Sequence, residues 1–140
     1  MPREWKIRDA AGWTMAVFGA MALLLGALGI LFPHLVLRSL NFEIVPRAAR
    51  ASHDYTLTFL LASSMASFNM GVYYLLAVFS DWKAFYGWTV PFRMLTFVVF
   101  TTAVLLGYAP GGFLGVGLWE LAGAVATGIA LRRERTAQVD

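Results

Sequence analysis

The chain has no cysteine. Disulfide exchange, thiolate nucleophiles and cysteine-held zinc or iron–sulfur centres are therefore excluded. Charge is scarce as well. Only 14% of the 140 residues are Asp, Glu, Lys or Arg, against about 25% in a typical soluble domain. Nearly all of these charges lie in the ends and connections. The sequence holds no glycine-rich phosphate loop and no pair of carboxylates inside an apolar segment. Phosphate cradling and paired-carboxylate chemistry thus lack their parts.

Apolar length is what the chain has in abundance. Hydrophobic residues make up 59% of it, gathered into four segments at about 10–32, 55–79, 84–107 and 113–131. Each approaches or exceeds the roughly 20 residues that cross about 30 Å of hydrocarbon at 1.5 Å per residue. The expected fold is all-α, an integral membrane four-helix bundle of antiparallel up-down hairpins. It occupies 1–140 as a single transmembrane domain. The first segment follows a basic start, and Ala20-Met21-Ala22 resembles a signal cleavage site. The apolar run continues to Phe32, well past a signal core of 7–15 residues, so a retained helix is expected.

An isoelectric point near 9.6 in a soluble protein would raise the question of nucleic acid. Here the basic residues flank apolar spans, which is an orientation signal and a contact for anionic headgroups. Nucleic acid is not an expected partner; the lipid bilayer is. With four spans, one side holds Arg3, Lys6, Arg8, Lys83, Arg132, Arg133 and Arg135, the other Arg38, Arg47 and Arg50. The positive-inside rule places both termini in the cytoplasm of a multi-pass protein of the inner (plasma) membrane. The connection 33–54 then lies outside. Leu35, Val36, Leu37, Leu40, Phe42, Ile44 and Val45 make it too apolar for an ordinary loop, and an interfacial segment is expected.

Small residues mark the packing faces. Gly12, Ala16, Gly19, Gly26 and Ala27 share an arc of the first helix, which lets another helix approach closely. In the second, Ser63, Ser67 and Gly71 form a ladder beside a stripe of Ala62, Ala66, Asn69 and Tyr73. Asn69 is expected to point inward, since its amide seeks hydrogen bonds. In the fourth, Gly117, Glu120, Gly123, Ala124, Thr127 and Gly128 lie opposite a leucine-rich face. That turns Glu120 into the bundle. Trp82, Tyr86 and Trp88 suit an aromatic belt at the cytoplasmic surface.

The third helix leaves two readings open. A start near Trp82 puts Pro91 inside the helix and Arg93 about 15 Å deep. A cap at Thr89 puts Pro91 in the first turn and leaves Arg93 about 6 Å deep, snorkelling to headgroups. With the early start, Asn69, Arg93 and Glu120 all fall near mid-depth. A charge there costs at least about 2.5–3.5 kcal/mol, so it meets a partner or a cavity. A structural Arg93–Glu120 pair that fixes helix register is preferred to a ligand or proton site.

Histidine chemistry is poorly supported. Neighbours Ser52-His53-Asp54 cannot adopt triad geometry, and His34 and His53 with Glu43 or Asp54 lack metal-ligand spacing. Neither histidine lies in a span, which disfavours haem ligation. No metal and no cofactor is expected.

The layout, with Gly71-Val-Tyr-Tyr-Leu-Leu-Ala77 followed by Trp88-Thr-Val-Pro-Phe-Arg93, resembles the DoxX-like group of small four-helix bacterial membrane proteins. The resemblance covers the four spans and implies a bundle of this size; no site residue is carried over from it. The preferred function is an accessory or interaction subunit that self-associates or binds a partner membrane subunit. Two alternatives use the polar cluster. In a small membrane enzyme for a lipid-soluble substrate, Glu120 is the acid or base and Arg93 its electrostatic partner, with Asn69, Tyr73 and Thr96 completing a site for a lipophilic small molecule. In a proton-coupled transporter, Glu120 is the carrier.

Overall fold

The computed structural model describes residues 6–137. Helices are α1 (Ala10–Leu31), α2 (Pro33–Ser39), α3 (Thr56–Phe79), α4 (Lys83–Leu105) and α5 (Phe113–Ala137), with one 3₁₀ turn at Arg47–Ala49. No strand occurs among the described residues. Four of the helices, α1, α3, α4 and α5, are long and apolar enough to cross a membrane. They are compatible with a membrane protein.

Local chemistry sets the helix ends. Asp9 caps α1, its carboxylate accepting from the Gly12 N–H at 2.7 Å. Pro33 opens α2, where its missing N–H and fixed φ cost nothing. The ends of α2, α3 and α4 share one device. Asn41, Asp81 and Gly107 have φ of 60°, 53° and 74°, and the next residue's N–H reaches back to the carbonyl five residues earlier. The pairs are Phe42 to Leu37, Trp82 to Ala77 and Tyr108 to Ala103. This is the Schellman arrangement, which satisfies carbonyls that the helix end would otherwise leave unpaired. The Asp81 turn is therefore tight, and α4 begins two residues later.

That settles the start of α4. It begins at Lys83 with Pro91 inside it, so Arg93 lies ten residues in, about 15 Å by helical rise. The alternative start at Thr89 is excluded. The Thr89 hydroxyl instead donates to the Tyr86 carbonyl within the helix.

Chain direction alternates through α1, α3, α4 and α5. Gly19 lies beside Gly71 and Gly26 beside Ser64, so α1 and α3 are antiparallel. Phe100 packs on Phe113 and Gly128 lies by Val90, so α4 and α5 are antiparallel too. The lateral packing is less uniform than two sequential hairpins would suggest. Helix α3 leans mainly on α1 and α4 mainly on α5, while α1 and α5 join the two pairs. Between α3 and α4 the shared turn brings together Tyr74 with Phe85 and the Tyr86 hydroxyl with the Ala77 carbonyl.

The small residues do the close packing. A Cβ at Gly26 would stand 2.5 Å from the Phe68 backbone nitrogen, and one at Gly71 2.5 Å from that of Leu23. Only hydrogen fits between these backbones, and the Ser67 hydroxyl bonds across to the Ala22 carbonyl at 2.9 Å. Gly117 admits the Phe97 and Phe100 side chains to α5. The leucine-rich side of α5, including Leu118, Val125 and Ile129, is exposed.

The connection 33–54 is partly helical. Leu37 is buried, Phe42 meets Phe113 edge-on, and the Leu40 carbonyl lies against Gly112. It thus packs across the bundle end where α5 begins. At the other end α5 runs six residues beyond the expected 131, and this extension carries Glu134 to α1 and α4.

Candidate functional site

The core between α1 and α4 is built from side chains of ascending polarity. Met15 and Tyr86 are almost fully buried, Tyr86 at 1% exposure, and the Thr89 hydroxyl faces the Met15 sulfur at 3.6 Å. Tyr86 is consequently core and not part of an aromatic belt, which Trp82 and Trp88 can still supply at 50% and 58% exposure. One turn past Thr89 the same face of α4 presents Arg93.

Arg93 is 3% exposed. Its Nε donates to a Glu120 carboxylate oxygen at 3.1 Å, joining α4 to α5 at mid-helix. Its guanidinium Cζ lies 3.2 Å from the Phe18 ring centre, with the Tyr74 ring centre at 6.0 Å. Desolvated cation–aromatic contacts of this kind contribute up to about 2 kcal/mol. The far side of Phe18 stacks on Trp119 at 4.6 Å. Gly123 makes room for the group, since a Cβ there would overlap Phe18 and stand 2.5 Å from Arg93 Nη2. Both terminal nitrogens, Nη1 and Nη2, are buried with no hydrogen-bond acceptor. Glu120 is the shallower partner, its side chain 24% exposed.

The expected cluster is only partly assembled. Arg93 and Glu120 meet. Asn69 makes no side-chain hydrogen bond among the described residues. It is half-buried, on the side of α3 that also carries the exposed Ala62, Ala66 and Tyr73, opposite the Ser64, Phe68 and Gly71 face that packs on α1. Tyr73 is 54% exposed. The Thr96 hydroxyl donates to the Phe92 carbonyl of its own helix. Gly123 was legible on the face of α5 that carries Glu120, whereas Phe18, Tyr74 and Trp119 are the neighbours that sequence reasoning did not name. A signal for Phe18 existed, because Ala11, Met15 and Phe18 share one face of α1 at helical spacing.

A second polar cluster ties the bundle end where α1 begins and α5 ends. The Lys83 ammonium binds the Asp9 carboxylate, Glu134 at 3.0 Å and Asp81 at 3.6 Å. Glu134 also accepts from the Ala11 N–H at 3.0 Å. Burial pushes the Asp9 carboxyl up, but hydrogen bonds from Lys83 and the Gly12 N–H, together with the lysine charge, outweigh it. They hold its pKa below the usual carboxylate value. Asp54, ahead of α3, is likewise held low by bonds from the Thr56 hydroxyl and N–H. Sequence spacing could not pair Glu134 with Lys83, because they meet only when α5 extends beyond its apolar part.

Two clefts accompany these clusters. A groove of about 360 Å³ between α1 and α5 is lined by Trp13, Val17, Phe18, Trp119, Gly123 and Ala126, among others. A smaller one of about 220 Å³ lies by Lys83 and Glu134. Among the described residues no three histidine, aspartate or glutamate side chains gather as a metal site. Comparison with protein-family models, with curated proteins and with solved structures gives no match to the chain.

Proposed function

We propose that this is a multi-pass protein of the inner membrane, with both termini in the cytoplasm, that acts by association and not by catalysis. Its partner is a second copy of the chain, docked through the outer face of α3. The observation that carries this reading is the placement of Asn69. A half-buried amide on the side of α3 turned from α1, beside the small exposed residues Ala62 and Ala66, would have no water to bond in hydrocarbon and would be satisfied by another helix. Small neighbours let that helix come close. The resemblance of the four-span layout to the DoxX-like group is part of this proposal.

The chemistry of Glu120 supports the same reading. A general base or proton carrier needs a carboxylate free to meet its substrate, whereas this one is bonded to Arg93 Nε. The pair is better suited to holding α4 and α5 in register.

The test is the mass of the purified protein in detergent or nanodiscs. Wild type is expected to be dimeric and Asn69→Leu largely monomeric, with helicity unchanged. A monomeric wild type would overturn association between copies. A dimer insensitive to Asn69→Leu and to Ala66→Leu would overturn the α3 face.

A further inference from the structure

The groove between α1 and α5 and the two bare nitrogens of Arg93 are parts of one place. Phe18 and Gly123 form the groove's floor. Arg93 does not line the groove but lies against both residues, its Cζ over the Phe18 ring and its Nη2 packed where a side chain at Gly123 would begin. A buried guanidinium offers five donors in a fixed fork. Here Nε is spent on Glu120 and both terminal nitrogens lack acceptors. Unmet buried donors of a charged group are costly, and an acceptor delivered through the groove floor would satisfy them.

The groove dictates what can deliver it. Its wall is apolar, bordered by Trp13 and Trp119, and a volume of about 360 Å³ lies within the range of small-ligand pockets. Phe18 and Trp119 are already stacked, and the space beside them accepts another flat ring. The Arg93–Glu120 pair is neutral overall. A second carboxylate would leave net negative charge in low dielectric, which is penalised, while a neutral oxygen acceptor is not. We propose that the α1–α5 groove binds a membrane-soluble molecule with a flat apolar body and a neutral carbonyl oxygen, which accepts from the terminal nitrogens of Arg93. Phe18 is the movable part of the floor, turning aside to admit the carbonyl.

The site lies away from the outer face of α3, so the inference stands or falls independently of dimerisation. The probes are 9-fluorenone and fluorene, flat molecules of nearly the same shape that differ in one carbonyl. Saturating fluorenone is expected to raise the thermal midpoint of the wild-type protein in detergent by about 3–6 °C, and fluorene to leave it unchanged. Ala126→Leu, which fills the groove without touching the ion pair, is expected to abolish the fluorenone shift. Arg93→Gln should abolish it too wherever that variant folds. Equal shifts with fluorene would overturn the role of Arg93. No shift with fluorenone, or a full shift in Ala126→Leu, would overturn the site.

Discussion

At the scale of single residues, Arg93 and Glu120 are bound by mutual need. Removing either leaves the other charge uncompensated in a low-dielectric bundle, a loss of about 3–5 kcal/mol for buried pairs. Arg93→Gln and Glu120→Gln should each lower stability strongly, with Arg93→Gln leaving a carboxylate that is still 24% exposed. The double variant should lose far less than the sum, and thermal unfolding in detergent of all four proteins measures the difference. Additive losses would mean that the two side chains act separately. Asp9 makes a different case, because its carboxyl pKa is held below the ordinary 3.8. Its contribution is full above that value and is lost as pH falls through the folded-state pKa. Asn at position 9 keeps the cap but not the charge. The midpoint difference between wild type and Asp9→Asn should therefore be clear at pH 7 and shrink below pH 3.8.

At the scale of helices, α1 and α3 depend on backbone contact where glycine alone fits. Gly71→Ala would set a methyl 2.5 Å from the Leu23 nitrogen and 2.7 Å from the Gly19 carbonyl oxygen. Neither atom can yield without moving a helix, so a loss of about 1–3 kcal/mol is expected. Gly115→Ala is the matched control on α5. Nothing lies within 4 Å of a Cβ there, and alanine's better helix propensity should hold or raise stability by about 0.5–1 kcal/mol. Unfolding in mixed micelles would separate the two. Gly107 tests the Schellman ends: at φ 74°, alanine should cost about 1–2 kcal/mol, although the space around it is open.

For the molecule as a whole, the four long helices and their alternation were legible in the sequence because each is a long apolar run, and the runs are set apart by polar or proline- and glycine-bearing connections. The inward face of α5 could be read from Gly117, Gly123 and Thr127, since small residues of one helix share a narrow arc. The depth of Arg93 could not, because it hangs on where α4 begins. That is decided by Asp81, a residue able to take positive φ and stop α3 just ahead of Lys83. The side of α3 that packs on α1 was not legible for a related reason. Two adjacent small-residue faces on α3 compete for α1, and only the partner's glycines at positions 19 and 26 choose between them. The Lys83 cluster was hidden because its members come from three distant places in the chain, 8–9, 81–83 and 134.

The proposed association through α3 can be measured directly because the chain has no cysteine of its own. A single cysteine at Ala66, on the outer face of α3, is compared in native membranes with one at Val98, which is 55% exposed on α4. Mild oxidation should link Ala66→Cys chains into a covalent dimer and leave Val98→Cys as monomer. Equal linkage of the two, or none at Ala66, would contradict the account.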